Sequence, residues 1–316
     1  MWKYVVKRLF WMIFVLLGTA FVIFTVMYFV PGDPADMLLS ADATFEQKEA
    51  YREALGLNDP YFVQLLRYLR DTFIRFDFGT SYTFKVPVLA ELLRRIPRTF
   101  MLSMFCILLD VGIGLPLGIT AAIHQDSLVD RFVMLLAMIG ISMPNFWLAI
   151  LMVVLFSQKL QWLPAYGTGT WKHWVMPILS SGLMGIAANA RQSRSAVLET
   201  IRADFVTTAR AKGLGEQKVI YKHMLPNALI PIVNMLGTRF GNSIAGTVVI
   251  ETVFTFPGVG TYMMTGINNR DYPIVRSCVL VLAVFSAFSV LLTDIAYAYI
   301  DPRIKAQYAG AGRSHK

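Results

Sequence analysis

The sequence predicts an all-α integral membrane protein that crosses the bilayer six times. Of its 316 residues, 56% are hydrophobic and only 16% are charged, a balance that ordinary soluble domains do not reach. A helix needs roughly 20 apolar residues to cross about 30 Å of hydrocarbon, and six stretches approach that length. These stretches lie near residues 9–30, 99–123, 132–157, 174–190, 227–250 and 277–299.

The first stretch is expected to stay in the protein as a membrane anchor. Its uncharged run from Leu9 to Gly32 is too long for a signal peptide, and no small-residue cleavage site follows it. An even number of spans places both termini on one side of the membrane. Lys and Arg are concentrated in the N-terminus, the 191–226 loop and the C-terminal tail, which predicts that both termini face the cytoplasm.

The net charge of +9 does not indicate a nucleic-acid-binding protein. The excess of positive charge lies beside the ends of the predicted spans, where membrane topology and attraction to anionic lipid explain it. Cys106 and Cys278 both fall inside spans, and the four histidines share no ligand spacing. We therefore expect no bound metal and no disulfide.

Residues 31–98 are expected to form a helical insert on the external side. Thr44 is suited to cap a first helix that ends at Gly56, and a second helix should begin at Pro60. A third short helix is predicted to end before Pro97. The insert either covers the first span or docks an external partner, and the sequence leaves both alternatives open.

A polar loop at residues 191–226 separates the fourth and fifth spans and is predicted to contain two helices. The order of Lys212 and Gly213 is typical of a helix end, and a second helix should run from Glu216 to Leu225, stopped by Pro226. The turn between the helices exposes a small-residue tip, 209–215, that suits close approach to another protein. The apolar stripe of the first helix is predicted at Leu198, Ile201, Phe205 and Ala209.

These residues resemble the EAA loop of permease subunits in binding-protein-dependent ABC importers. Ala209 and Gly213 are four residues apart, and Leu225-Pro226 follow twelve residues after Gly213. The run DFVTTARAKGL is similar to the dipeptide, oligopeptide, glutathione and nickel branch, with Thr207 where the general motif has Glu. Other motifs similar to that branch follow in order: Pro31-Gly32-Asp33-Pro34, Leu55-Gly56-Leu57, Phe78-Gly79, Ser142-Met143-Pro144, Glu251 with Pro257-Gly258-Val259-Gly260, Arg270-Asp271-Tyr272-Pro273 and Asp301-Pro302-Arg303.

The resemblance implies a type I ABC importer permease fold with a cytoplasmic coupling helix. It also implies a second homologous permease subunit, two ATPase subunits that hold ATP and Mg, and an extracytoplasmic substrate-binding protein. This chain contains no G-x-x-x-x-G-K-[ST] phosphate loop, so we expect it to be non-catalytic and to bind no cofactor. The ATPase-coupling residues implied by the resemblance are Asp204, Thr208, Ala209, Arg210, Ala211, Lys212, Gly213, Leu214 and Gly215.

Polar residues inside the spans are the next candidates, because each is costly in lipid. Arg239 in the fifth span is expected either to meet a substrate carboxylate, to pair with Asp110 in the second span, or to extend to the interface. Asp294 is expected to anchor the last span through Arg303. Asn234, Thr238, Arg239 and Asn242 fall on one helical stripe and are predicted to line a translocation pathway.

The outer end of the fifth span contains a second candidate site. Glu251 and the turn at Phe256, Pro257 and Gly258 are predicted to lie at the external mouth, as a gate, as a docking surface or as a plain loop.

The resemblance favours a di- or oligopeptide substrate, with chelated nickel or glutathione as alternatives. A proton-coupled secondary transporter, with Asp110, Arg239 and Asp294 as a relay, is the alternative of another class, but the chain contains no evident inverted repeat. An intramembrane hydrolase is disfavoured because no G-x-S-x-G motif is present. The predicted location is a bacterial-type cytoplasmic membrane.

Overall fold

The computed structural model describes residues 2–30, 33, 35, 39 and 43–300. Within this part, the side chains of residues 2–4, 230, 234, 238, 242, 244, 245 and 296–300 are not described. The motif residues Pro31, Gly32 and Pro34 and the segment 301–303 lie outside it.

The described chain is helical. The N-terminal half contains α1 (Trp2–Phe29), α2 (Phe45–Ala54), α3 (Tyr61–Phe73), α4 (Val88–Leu109), α5 (Leu115–Ile123), α6 (Leu128–Ser142) and α7 (Asn145–Met152). The C-terminal half contains α8 (Lys172–Ile201), α9 (Asp204–Ala211), α10 (Glu216–Lys218), α11 (Leu225–Val253), α12 (Val259–Asn268) and α13 (Tyr272–Ile300). Three π-helical segments, Asp110–Gly114, Val153–Lys159 and Val219–Met224, lie between or after these helices.

Three described helical stretches are long and apolar enough to cross a membrane: Val5–Phe29, Val88–Ile123 and Tyr272–Ile295. The predicted span at 132–157 is divided, because α6 and α7 meet at an angle of 96° beside Pro144. Helices α8 and α11 have 30 and 29 residues but do not meet the same test of length and apolar composition. The count of six spans therefore stays a prediction.

The predicted helix end before Pro97 is wrong. Pro97 lies inside α4, which continues through the segment Asp110–Gly114 into α5. A proline removes one backbone donor, and a long membrane helix tolerates this loss when neighbouring helices support it. The helix therefore joins the insert directly to the second predicted span.

Local caps organise the insert as expected. The backbone N–H of Gln47 donates to Thr44 Oγ1 at 3.3 Å, and the backbone N–H of Thr44 donates to Gln47 Oε1 at 3.0 Å, which completes a capping box. Gly56 follows α2 with φ +66°, and α3 begins after Pro60. Helix α3 then packs on α1, where the ring of Tyr61 lies 5.6 Å from that of Phe24.

The insert and the 202–218 segment lie at opposite ends of the bundle. At one end, a core joins the start of α4 to α12 and the start of α13, through Val88, Val259 and Ile274. At the other end, a second core joins α5, α8, α9 and the start of α11, through residues that include Val197 and Val206. The chain thus presents two separate polar ends for binding other molecules.

Helix α8 occupies the centre of the bundle because small residues let its neighbours approach its backbone. A Cβ atom at Gly114 would lie 2.7 Å from the carbonyl oxygen of Ile186, and one at Gly118 would collide with the carbonyl oxygen of Ala190. Such close backbone contacts are typical of packed membrane helices. They fix α5 firmly against α8.

Candidate functional site

Helix α9 is a separate helix that begins after a break at Ala203. Helix α8 ends at Ile201, and Ala203 has an extended backbone (φ −73°, ψ 147°). The break changes the helical phase, so the predicted apolar stripe is wrong at Phe205, whose exposed fraction is 43%. Val206 and Ala209 form the buried face of α9 instead.

Gly213 ends the helical segment as predicted. Its φ of +74° lies in the left-handed region, and its N–H donates to the carbonyl oxygen of Arg210 at 2.9 Å. Gly215 then precedes α10, and a Cβ atom at either glycine would meet nothing within 4 Å. We call residues 210–216 the α9–α10 turn.

An ion pair closes the α9–α10 turn on itself. Arg210 Nη2 donates to Glu216 Oε1 at 2.5 Å, and Arg210 Nε donates to Glu216 Oε2 at 3.2 Å. The hydrogen bonds from Arg210 lower the pKa of Glu216, and the pKa of Arg210 is raised by the same contact. The paired hydrogen bonds between the guanidinium and the carboxylate join the end of α9 to the start of α10 and favour one conformation of the exposed turn.

The chain after the turn departs from the prediction. The helix that was expected to stop at Pro226 continues from α10 through the segment Val219–Met224 into α11. Pro226 is the second residue of α11 and directly follows the π-helical segment, so the helix passes through the proline and lacks one backbone donor there. Val219 and Met224 are fully buried beneath α9. The turn is therefore held by packing on helices that enter the membrane.

The predicted coupling residues differ in accessibility. Ala209 is 7% exposed and supports the turn from below, and Leu214 is half-buried. The remaining residues of the set are exposed: Asp204, Thr208, Arg210, Ala211, Lys212, Gly213 and Gly215.

Of the three alternatives for Arg239, the pairing with Asp110 corresponds to a contact in the structure. Arg239 Nη2 lies 4.0 Å from Asp110 Oδ2, and its Nη1 donates to the carbonyl oxygen of Gly185 at 3.4 Å. Asp110 is 6% exposed, and its Oδ1 has no hydrogen-bond partner among the described residues. Arg239 is half-buried. The contact joins α11 to the π-helical segment after α4 and to α8.

The side chains of the other predicted pathway residues, Asn234, Thr238 and Asn242, lie outside the described part of the structure. Only their backbone is described, within α11. Their role stays a prediction.

Glu251 is fully buried and holds the outer turn in place. Its Oε2 accepts hydrogen bonds from the backbone N–H of Gly260 at 2.7 Å and of Thr261 at 3.1 Å. Its Oε1 accepts from Thr99 Oγ1 at 2.7 Å, and that hydroxyl accepts from the N–H of Val259 at 2.9 Å. A Cβ atom at Gly258 would collide with the Glu251 carboxylate. The network joins α4, α11 and α12 at one point.

Phe256 also lies inside the protein, whereas Pro257 is half-buried. The carbonyl oxygen of Pro257 accepts a hydrogen bond from Arg98 Nη1 at 3.4 Å. Sequence reasoning placed the 256–258 turn at the surface, and the structure places its aromatic residue in the core.

Asp294 pairs with Arg8 of the first helix, with Nη1 and Oδ2 2.8 Å apart. The expected partner, Arg303, lies outside the described residues. The contact connects the two terminal helices at the end of the bundle that contains the α9–α10 turn.

Sequence reasoning missed a strong ion pair near the same end. Arg194 on α8 binds Asp130 on α6 through two hydrogen bonds of 2.6 Å. Asp130 is 3% exposed, and the hydrogen bonds from Arg194 lower its pKa. The Ser127-x-x-Asp130 spacing marks the start of α6, but nothing local identifies the distant arginine.

The long apolar helices define an integral membrane protein, with an exposed turn at one end of its helical bundle. The comparisons identify its family. Residues 114–306 match the family described as the binding-protein-dependent transport system inner membrane component, and residues 1–103 match its N-terminal component. The chain belongs to this family, whose description implies an ATPase and a substrate-binding protein as partners.

The similar proteins cover the chain almost completely. The dipeptide transport system permease protein DppB of Alkalihalophilus pseudofirmus is 38% identical, over 96% of this chain and 100% of that protein. The glutathione transport system permease protein GsiC is 37% identical in Salmonella paratyphi A and 35% identical in Escherichia coli K12, each over 96% of this chain and 99% of GsiC.

Solved structures support the fold. An inward-facing structure of the MetNI methionine ABC transporter matches 67% of this chain and 97% of that chain, with a TM-score of 0.57 and 17% identity. An amino acid ABC transporter determined with histidines matches 68% of this chain and 94% of that chain, with a TM-score of 0.51 and 13% identity. The fold is that of a type I ABC importer permease, and family membership favours this class over a proton-coupled secondary transporter.

Proposed function

We propose that this chain forms half of the translocation pathway of an ATP-driven importer for di- and oligopeptides. The observation that carries the proposal is the exposed α9–α10 turn, which the Arg210–Glu216 ion pair closes and which packs on a membrane bundle of this family. The substrate class is supported by the relatives named for dipeptide and glutathione transport, because both are short peptides and both relatives match almost the whole chain. Glutathione is therefore the second candidate substrate.

The α9–α10 turn acts as the site of contact with an ATPase subunit. Its exposed residues include a cation, Lys212, and two glycines whose missing side chains permit close approach. Val206 and Ala209 seat α9 on the α5, α8 and α11 core. Closure of the ATPases would therefore move the turn and the attached helix ends together, as a rigid body.

The arrangement in the membrane follows from the two ends of the bundle. The termini and the α9–α10 turn face the cytoplasm, where two ATPase subunits bind ATP and Mg. The insert faces outward, toward the substrate-binding protein, and a second homologous permease completes the pathway. This chain binds no cofactor itself and performs no catalysis.

The proposed pathway lies along α11, with Asn234, Thr238, Arg239 and Asn242 on one stripe. The Arg239–Asp110 contact of 4.0 Å is long for a hydrogen-bonded pair, so a substrate carboxylate brought closer would compete for the guanidinium. Glu251 and the 256–258 turn form the outer boundary of this pathway.

The test is a Gly213→Pro variant in the complete transporter, reconstituted with its partner subunits. Proline requires φ near −65° and has no N–H, so it can neither adopt +74° nor donate to Arg210. We expect loss of the ATPase stimulation that binding protein and dipeptide produce together, with an unchanged melting temperature. Gly213→Asn is the matched control, because asparagine tolerates the left-handed region, and it should retain most of the stimulation.

Stimulation of the Gly213→Pro complex to the level of the parent would contradict the coupling role. The same assay separates the substrates: we expect dipeptide and glutathione to stimulate and chelated nickel to have no effect. Stimulation by nickel alone would overturn the substrate class and leave the role of the turn intact.

A further inference from the structure

A cavity of about 170 Å³ lies where the insert meets the outer ends of α1 and α13. We call it the outer cavity. A cavity of this volume can hold one small organic molecule, since engineered cavities of about 150 Å³ bind benzene. The polar residues that decide its chemistry are Tyr68, Asp71, Asp77, Tyr82 and Arg276.

Arg276 brings to the outer cavity a positive charge that no described residue pairs in a salt bridge. Its guanidinium lies over the rings of Phe24, Tyr68 and Tyr272, at 4.6, 5.4 and 5.5 Å from their centroids. Its Nε is buried and has no hydrogen-bond partner, and it forms no ion pair with any described residue. Ring faces attract a cation but accept no conventional hydrogen bonds, so the donors of Arg276 are left for an oxyanion.

Asp77, which is exposed, adds to the lining of the same cavity a negative charge that pairs with no described cation. Its Oδ1 accepts the N–H of Gly79 at 2.8 Å, and within the described chain no cation pairs with its carboxylate. The other charged groups of the lining are already matched. Arg67 binds Asp59, and Asp71 lies 3.0 Å from Arg70.

We propose that the outer cavity binds a zwitterionic molecule of amino-acid size. The carboxylate of the ligand accepts hydrogen bonds from Arg276, and its ammonium group donates to Asp77. Tyr68 and Tyr82 carry their protons at neutral pH, as tyrosine ordinarily does, and burial raises the pKa of each further, to about 12, so both hydroxyls can donate to the ligand. The opposite charges explain why a simple anion or a simple cation fits the cavity less well.

The experiment measures binding of alanine to the purified full-length chain in nanodiscs of zwitterionic lipid, by titration calorimetry. Propionate and ethylamine are the comparison probes, because each retains the carbon chain and one of the two charges of alanine. We expect alanine to bind about tenfold or more tightly than either, a difference of about 1.4 kcal/mol. Equal binding of alanine and propionate would overturn the proposal.

Variants of the charged lining residues test whether alanine binds in the outer cavity. Asp77→Asn retains an acceptor for the N–H of Gly79. This variant should bind alanine only as tightly as propionate, with unchanged binding of propionate, whereas Arg276→Gln should bind neither. Asp71→Asn is the matched control, since its carboxylate lines the same cavity but is already paired, and alanine binding should persist.

The asparagine variant at position 77 decides the outcome if Arg276→Gln does not fold, because Asp77 is exposed and lies outside the helices. Unchanged alanine binding in Asp77→Asn overturns the proposal. Absence of alanine binding to the parent also overturns it. If the parent does not bind alanine, and anionic lipid raises the melting temperature of the parent but not of Arg276→Gln, the cavity binds a lipid headgroup instead of an amino acid.

Discussion

Replacing Glu251 by alanine should release the outer turn from the bundle. The carboxylate accepts three hydrogen bonds, from Thr99, Gly260 and Thr261, in a fully buried position. Alanine leaves all three donors without that partner, and each buried unsatisfied donor costs about 1–3 kcal/mol. The expected loss is therefore about 3–9 kcal/mol, comparable with the whole stability of many domains, about 5–15 kcal/mol.

Glutamine at position 251 provides the matched comparison, because it retains the size of the side chain and one acceptor oxygen. Placed with that oxygen toward Gly260 and Thr261, it leaves only the Thr99 hydroxyl without an acceptor, a loss of about 1–3 kcal/mol. The order of stability should be parent, then glutamine, then alanine.

The assay is thermal unfolding of the purified transporter in nanodiscs, with hydrogen exchange of the 256–261 segment as a local measurement. In the alanine variant, the melting temperature should fall and the backbone N–H groups of Gly260 and Thr261 should exchange faster than in the parent. Two results would refute the view that the carboxylate network holds the turn. One is a melting temperature and a hydrogen-exchange rate in Glu251→Ala that equal those of the parent, and the other is an equal loss of stability in the alanine and glutamine variants.

Two further predictions concern packing and pH. Because Asp130 is buried against Arg194, Arg194→Ala should cost about 3–5 kcal/mol at neutral pH by melting. Because the pKa of Asp130 is lowered, this stabilisation is complete above the usual Asp pKa and is lost as pH falls through the lowered value. The melting temperatures of the parent and the variant should therefore become equal in acid. A Cβ atom at Gly185 would collide with the Asp110 carboxylate, so Gly185→Ala should cost about 1–3 kcal/mol, whereas Gly112→Ala, with open space around it, should melt like the parent.

Sequence reasoning was correct where a local interaction decides the backbone. The capping box at Thr44 and the helix end at Gly213 both depend on residues within a few positions along the chain. It failed where tertiary packing overrides a local rule. Pro97 and Pro226 were both assigned to helix ends, but in each case a helix supported by its neighbours continues through the proline.

For the charged residues, the sequence indicated a partner more readily than it indicated how deeply the side chain is buried. Asp110 and Arg239 are opposite charges in apolar segments, and the cost of an unpaired charge in lipid made their contact one of the three alternatives for Arg239. Glu251 was expected at the external mouth, as part of a gate, a docking surface or a plain loop, and the structure buries its side chain. The available signal was Gly258 and Gly260, whose missing side chains make room for that carboxylate.

Helix α8 connects the α9–α10 turn to the outer turn that Glu251 holds. Val197 belongs to the core beneath α9, and Met176 belongs to the core that contains Phe256. The two residues are separated by about 32 Å along a helix that rises 1.5 Å per residue. Since close backbone contacts fix α5 to α8, a displacement of the turn would be transmitted along α8 toward its outer end, where Pro177 lies next to Met176. We infer that this displacement acts on the outer turn, which the Glu251 network holds in place. Release of that network would therefore weaken the coupling between the α9–α10 turn and the outer end, even where substrate binding is unaffected.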